Sequence, residues 1–111
     1  MDITFKNDKL KKIFNSKKEL IRKFGNENAK FIMLRMAVLS AANCLDDVPI
    51  DKPDRCHQLK GDRKGDFAVD IKQPFRLIFR PNHDPVPKKD DGGIDLKNVT
   101  AIKILEVRDY H

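Results

Sequence analysis

The chain has no tryptophan, a single tyrosine and only two cysteines among its 111 residues. Cys44 and Cys56 lack CxxC spacing, so a disulfide scaffold is not expected and both thiols are predicted to be free. A zinc site is not favoured either, because it would have to recruit Cys56, His57 and scattered partners. No signal-peptide pattern is present, and no window approaches the roughly 18 apolar residues of a membrane span. These absences predict a soluble, cytoplasmic protein without membrane contact.

The length predicts a single domain, residues 1–111, with one hydrophobic core. The formal net charge of +6 favours a polyanion or an acidic partner over a neutral small molecule. The cations concentrate in residues 6–24, and these are Lys6, Lys9, Lys11, Lys12, Lys17, Lys18, Arg22 and Lys23. Such a run is usually the solvated face of a helix, so it indicates a binding surface only in combination with other signals.

The order of hydrophobic patterns predicts an α+β fold. Residues 1–5 alternate as a strand, a helical pattern begins at Asn7 or Asp8 with a possible break at the Ser16–Glu19 capping box, and a second helix begins at Asn26. Strands are predicted at 56–59, 67–72, 75–80 and 99–107, joined by a loop at 45–55, a turn at 61–65 and a long exposed segment at 81–98. We therefore expect a mostly antiparallel sheet packed against two helices on one face, with the other face open.

Side chains that can transfer protons or bind phosphate are predicted to lie on or near the open face. His57 and Lys60 belong to one strand or its end, and Arg76 belongs to the next strand but one. The last strand ends in Asp109, Tyr110 and His111. Each residue has an ordinary structural interpretation, such as a hydrogen-bonded strand histidine, a solvated lysine or a salt-bridge arginine. As an ordered set, they favour a site for cleaving a phosphodiester.

Three segments resemble the HigB branch of the RelE toxin superfamily, the plasmid- or chromosome-borne killer proteins of type II toxin–antitoxin modules. They are Cys56–Gly65, Pro74–Phe79 and Asp109–His111. The resemblance covers nearly the whole chain. It implies a compact RelE-like fold and an endoribonuclease, an mRNA interferase, that cuts messenger RNA in the ribosomal A site without a metal or a cofactor. One departure is the Pro-rich segment 81–98, which compact members of the family lack and which interrupts none of the matched motifs.

The implied active site consists of His57, Lys60, Arg76, Asp109, Tyr110 and His111. RNA cleavage without a metal requires a base, an acid and cationic stabilisation of the phosphorane. His57 and His111 are the candidate acid–base pair, with either assignment open. Lys60 and Arg76 would neutralise phosphate charge, Tyr110 would donate a hydrogen bond or stack on a base, and Asp109 would orient a histidine or the lysine.

Two uses remain open for the basic residues. RNA contacts are predicted for Lys9, Lys11, Lys12, Lys17, Lys18, Arg63 and Lys64. The same helices are alternatively the interface for a HigA-like helix-turn-helix antitoxin, through which the complex would repress its operator DNA. A different class of function is a non-catalytic basic module that binds RNA or a protein and inhibits translation or regulates transcription.

Overall fold

The computed structural model describes residues 1–109 of the chain. Strand β1 (Asp2–Phe5) is followed by helices α1 (Asp8–Phe14), α2 (Lys17–Phe24) and α3 (Asn26–Ala41). Strands β2 (His57–Gln58), β3 (Phe67–Asp70), β4 (Phe75–Pro81) and β5 (Ala101–Asp109) complete the fold within these residues. The predicted α+β class is confirmed.

The strands form one sheet in the order β1-β5-β4-β3-β2. β1 runs parallel to β5, whereas the other neighbouring strands are antiparallel. β4 is central, as its apolar sequence predicted. The register between β4 and β5 shifts between Ile78 and Phe79, so Leu105 forms a β-bulge between Ile104 and Glu106.

The helical layer contains three helices, because the first helical pattern divides into α1 and α2 at the break that the capping box indicated. Asn7 caps α1 through a hydrogen bond that Oδ1 accepts from the Leu10 N–H at 2.9 Å. Ser16 caps α2, since its Oγ accepts the Glu19 N–H at 3.2 Å. Gly25 then separates α2 from α3 with a φ of +88°, a left-handed conformation that glycine adopts without Cβ strain.

The two faces of the sheet have different packing. The covered face contributes Phe67, Leu77, Phe79, Ile102 and Ile104 to the main core, where they join Leu20, Ala29, Ile32 and Leu39 of the helices. The rings of Phe67 and Phe79 stack in this core with their centroids 6.0 Å apart. The open face has only a small buried cluster of Leu59, Ala68, Ile78 and Leu105.

Several predicted strand limits shift where turns satisfy the backbone instead of the sheet. β3 ends at Asp70 because the Ile71 N–H donates to the Phe75 carbonyl and the Phe75 N–H donates to the Lys72 carbonyl. β5 begins at Ala101 because a 3₁₀ turn at Leu96–Asn98 precedes it. Within residues 1–109, no helix is long and apolar enough to cross a membrane.

The segment between β4 and β5 folds back on itself. A backbone bridge joins Lys88 to Ile94, and the Lys89 N–H donates to the Gly93 carbonyl at 2.7 Å. His83 anchors the segment to β5, because its Nε2 accepts the N–H groups of Thr100 at 3.1 Å and Ala101 at 3.3 Å. The long exposed segment predicted at 81–98 is thus held by defined hydrogen bonds, and we call it the ordered loop.

The core predicts a large cost for Phe79→Ala. Phe79 is 0 % exposed, so truncation would remove its ring from both the stack and the helix contacts. We expect the free energy of unfolding, measured in urea, to fall by about 3–5 kcal/mol. Ile50→Ala is the control, since Ile50 is 74 % exposed and its truncation should change stability by less than about 0.5 kcal/mol. Equal losses in both variants would contradict this packing.

Candidate active site

Strand register arranges the open face in rows. Directly opposite residues of antiparallel strands share a face, so one row runs from His57 through Ala68 and Ile78 to Glu106. The neighbouring row contains Asp70, Arg76 and Arg108. Neighbouring strands lie about 4.8 Å apart, so the three steps from β2 to β5 put their backbones roughly 14 Å from one another. Arg76 is on β4, two steps from β2. His57 and Arg76 therefore share the open face, as predicted, on strands that are not adjacent.

The imidazole of His57 has a defined partner. Its Nδ1 lies 2.8 Å from the backbone carbonyl oxygen of Arg55. A carbonyl oxygen only accepts hydrogen bonds, so Nδ1 is the donor and carries a proton. The neutral ring then has its lone pair on Nε2. This tautomer makes Nε2 the atom that can take a proton from a substrate.

Lys60 and Arg63 line a shallow groove on the same side of the sheet. The groove has a volume of about 450 Å³, and its lining residues are Leu59, Lys60, Asp62, Arg63 and Arg108. Arg63 donates to Glu106 at 3.0 Å and to Asp66 at 3.2 Å, so its charge is compensated by two carboxylates. Lys60 is exposed. Arg108 also has a carboxylate partner, since its Nη1 lies 3.9 Å from Glu106 Oε1, so the exposed ammonium of Lys60 is the cation of this groove that favours an anionic ligand.

The sequence left two interpretations of Arg76 open, a salt-bridge partner and a phosphate contact, and its surroundings are compatible with both. Its Nε lies 3.7 Å from Oδ1 of Asp70, which is 4 % exposed, so Arg76 has a structural ion pair. It also lies opposite Arg108 in the β4–β5 ladder. Like charges at directly opposite positions repel, and here carboxylates offset part of that repulsion: Asp70 pairs with Arg76, and Glu106 Oε1 lies 3.9 Å from Arg108 Nη1. An anion between the two arginines would accept hydrogen bonds from both.

The predicted terminal triplet is only partly described. Asp109 is the last described residue and lies in register with Phe75, which packs on the covered side of the sheet. Alternation along β5 consequently places Asp109 on the opposite side of the strand from Arg108. The structure does not bring Asp109 onto the face of His57. Tyr110 and His111 lie outside the described residues.

Three residues of this region were missed by sequence reasoning. Arg55 supplies the carbonyl for His57 and pairs through its side chain with Asp70, and Arg108 lines the groove beside Lys60. Asp70 did carry a signal, because an acidic residue inside the otherwise apolar run 67–71 requires a cationic partner. Nothing local in the sequence identified Arg55 as that partner.

The basic helices lie on the other side of the sheet from this face. Residues 6–24 contain eight cations and two acids, so they account for the whole net charge of +6. α1 and α2 border a groove of about 580 Å³ whose lining is Lys9, Lys12, Ile13, Glu19, Arg22 and Lys23. Lys11, Lys17 and Lys18 are exposed on the same helices. Lys64 instead borders a groove shared with Gly65, Lys88 and Ile94 of the ordered loop.

The described residues contain no group of three or more His, Cys, Asp or Glu side chains placed to hold a metal ion. Apart from Asp109, the described residues of the predicted set lie in three places: the open face, the exposed surface of α1 and α2 (the α1–α2 surface), and, for Lys64, the groove beside the loop between β4 and β5. The open face holds the groups suited to proton transfer and phosphate binding.

Comparison with known proteins adds a family and a fold. The family model described as the RelE-like toxin of type II toxin–antitoxin system HigB matches residues 3–88. The structure is similar to a YoeB/ParE toxin from Agrobacterium tumefaciens, with a TM-score of 0.53, 14 % sequence identity and 100 % of each chain covered. At this identity, the similarity speaks for the fold alone. No protein among the curated sequences matches the chain.

The thiol beside His57 should be unreactive. Burial, with a smaller contribution from Asp54, raises the pKa of Cys56 from 9.0 to about 12. The thiolate is the reactive form, so at about pH 8 we expect Ellman's reagent to modify the partly exposed Cys44 and spare Cys56 in the folded protein. Unfolding in guanidinium should expose both thiols. Rapid modification of both thiols in the native protein would contradict this environment.

The same shift has a consequence for stability. The fold favours the neutral thiol, so this contribution to stability is complete below the ordinary pKa of 9.0 and is lost as the pH rises toward about 12. Cys56→Ala should remove that component of alkaline destabilisation, as measured by urea unfolding across this pH range. An unchanged alkaline slope in the variant would count against it.

Proposed function

We propose that this chain, which belongs to the HigB-like family of RelE-like toxins of type II toxin–antitoxin systems, is a ribosome-dependent endoribonuclease that cleaves messenger RNA in the ribosomal A site. The observation that carries the proposal is the make-up of the open face. A histidine with Nε2 available for proton transfer shares this face with two opposed arginines and a cationic groove. Of the groups that metal-free RNA cleavage requires, this face holds one residue for proton transfer and the cations that would stabilise the phosphorane.

The proposed reaction is an internal transfer at phosphorus. A base removes the proton of the ribose 2′-hydroxyl, and the 2′-oxygen attacks the adjacent phosphorus. The bond to the 5′-oxygen breaks, and an acid gives that oxygen a proton. The products are a 2′,3′-cyclic phosphate and a 5′-hydroxyl. In this proposal His57 and His111 divide the two proton transfers between them, and Tyr110 supports the substrate base. Asp109, on the opposite side of β5 from Arg108, has no role at His57.

The cations of the open face act on the phosphate. Arg76 and Arg108 lie directly opposite one another, so a phosphate between them would accept hydrogen bonds from both guanidinium groups. Lys60 contributes an exposed point charge at the neighbouring groove. A single donor to a developing oxyanion typically accounts for about 10²–10³ in rate.

The shape of the face supports a requirement for the ribosome. The groove beside Lys60 is shallow and leaves a flexible RNA strand free to adopt many orientations. Orientation is worth several orders of magnitude in rate, and in this proposal the ribosome supplies it by holding the codon. The α1–α2 surface would contact ribosomal RNA backbone at the same time, since phosphate neutralisation needs no particular base sequence. The protein would then act in the cytoplasm.

Type II toxins are paired with an antitoxin, so the family membership implies an antitoxin partner for this chain. In our proposal this partner is a HigA-like helix-turn-helix protein that links the toxin to operator DNA. An acidic segment of it would suit the α1–α2 surface.

One observation favours a second function, that of a non-catalytic basic module. The whole net charge lies on residues 6–24, on the side of the sheet away from His57. A protein that only binds RNA and blocks translation would need this surface and no acid–base residues. Substitution of the histidines therefore distinguishes the two functions, because only the nuclease requires them.

The first test compares His57→Gln and His111→Ala with wild type by primer-extension mapping after brief induction. If either imidazole transfers a proton, its variant should cut translated messages about 10²–10⁴ times more slowly. His83→Gln is the matched control, because His83 lies in the ordered loop and holds Thr100 and Ala101. Growth arrest with intact messages in wild type would refute the nuclease proposal and support the binding module.

The second test concerns the α1–α2 surface. We expect the double variant Lys9→Ala, Lys12→Ala to bind ribosomes more weakly and to reduce the slope of log affinity against log salt by about 1 for each lysine that contacts a phosphate. The control removes the same charge from the ordered loop, through Lys89→Ala and Lys97→Ala. Indistinguishable salt slopes for the two double variants would argue against an RNA contact at α1 and α2.

A further inference from the structure

The strand that carries His57 is too short to orient the imidazole by itself. β2 contains two residues and, among residues 1–109, lies at the edge of the sheet with β3 as its one paired strand. The segment before β2 supplies further contacts. The Arg55 N–H donates to the Asp51 carbonyl at 2.8 Å, and the Cys56 N–H donates to the Pro49 carbonyl at 3.0 Å. The backbone that leads into His57 is therefore held from the loop side.

Arg55 has an unusual backbone conformation within this segment. Its φ is +47°, and it is the one residue other than glycine with positive φ among residues 1–109. A side chain with a Cβ is disfavoured in this left-handed region, where glycine would be unstrained. An arginine at such a position indicates that its guanidinium has a role that glycine could not fill.

That role is a bidentate ion pair with Asp70. Arg55 Nε lies 2.6 Å from Asp70 Oδ2, and Arg55 Nη2 lies 3.0 Å from Asp70 Oδ1. The hydrogen bonds to Asp70 raise the pKa of the Arg55 guanidinium, so it stays charged. Two parallel hydrogen bonds fix the direction of the guanidinium as well as its distance.

Asp70 is itself immobilised on both sides. Its backbone carbonyl accepts a hydrogen bond from Arg35 Nε of α3 at 2.6 Å, and its N–H donates to the Asp54 carbonyl at 2.8 Å. Arg35 also lies 3.5 Å from the Asp54 carboxylate. The network thus extends from Arg35 of α3, through Asp70 of β3, to Arg55, whose carbonyl accepts the hydrogen bond of His57 Nδ1.

We propose that Arg55 and Asp70 are positioning residues for His57: their ion pair holds the Arg55 carbonyl where it selects the Nδ1–H tautomer and presents Nε2 to RNA. The significance for cleavage rests on the proposed function, whereas the choice of tautomer does not. Neither side chain needs to touch the substrate. This arrangement uses a backbone carbonyl as the group that orients an imidazole.

The tautomer can be read directly by long-range ¹H–¹⁵N correlation spectra of the full chain at about pH 8, above the ordinary imidazole pKa. Wild type should show His57 protonated at Nδ1, with the signals assigned by their loss in His57→Gln. In Arg55→Ala the Nε2–H form, which free imidazole side chains prefer in water, should become the major one. His83 is an internal reference, because its Nε2 accepts two backbone N–H groups and its tautomer should not change.

Arg80→Ala is the matched control variant. Arg80 pairs with the buried Asp66 as Arg55 pairs with Asp70, and each aspartate retains a second arginine partner after the substitution. Arg80→Ala should therefore leave the His57 signals unchanged from those of wild type. Arg55→Gly covers the event that Arg55→Ala does not fold, since glycine adopts a φ of +47° without strain and still lacks the guanidinium.

Single-turnover cleavage on programmed ribosomes supplies the functional readout. Arg55→Ala should lower the maximal rate constant about tenfold and leave the half-saturating toxin concentration within about twofold of wild type. A higher half-saturating concentration with an unchanged rate constant would mean that Arg55 binds RNA, which overturns the positioning role. Retention of the Nδ1–H form in both Arg55 variants would also overturn it. The expected tautomer change in a protein that cuts no message would uphold positioning and refute the proposed function instead.

Discussion

The carboxylate of Asp70 is the constraint on which much of this structure depends. It is almost fully buried in β3, and an ionised group in such a place costs several kcal/mol unless it is paired and hydrogen-bonded. Arginines from three parts of the chain meet this residue: Arg35 from α3 through the backbone, and Arg55 and Arg76 through the carboxylate. The position of the helical layer, the path into β2 and the direction of an open-face arginine are all tied to this one residue, the helical layer through its backbone carbonyl and the other two through its carboxylate.

The fold also separates two kinds of electrostatics. Residues 6–24 hold the entire charge excess on a helical surface, and the remainder of the chain is formally neutral. Charge on the open face is local and compensated, as in the contacts of Arg63 with Asp66 and Glu106. The helical side of the sheet therefore carries the charge that can attract a polyanion over a long distance, without regard to its base sequence. The open side carries the short-range contacts that can distinguish one ligand from another.

Local patterns were sufficient for much of the fold. The apolar run of β4 predicted its central position, and the capping pattern at Ser16 marked the break between α1 and α2. The site was harder to predict because of the bulge at Leu105. Unbroken alternation from Ile102 and Ile104 would put Arg108 on the covered face and Asp109 on the open one, whereas the extra residue reverses both. The ion pair of Arg55 with Asp70 joins residues without a shared pattern, so only the folded chain revealed it.

The parallel pairing of β1 with β5 has a consequence for how the protein is made. Asp2 pairs with Ala101, and Ile3 and Phe5 find their neighbours in Ile102 and Ile104, so the first strand has no partner until β5 has been synthesised. Contacts of such long sequence separation form late, and a nascent chain exposes its unpaired apolar strand meanwhile. A translation product that stops before β5 would lack the strand that lies between β1 and β4. The complete sheet can therefore form only in a polypeptide that has been translated through β5.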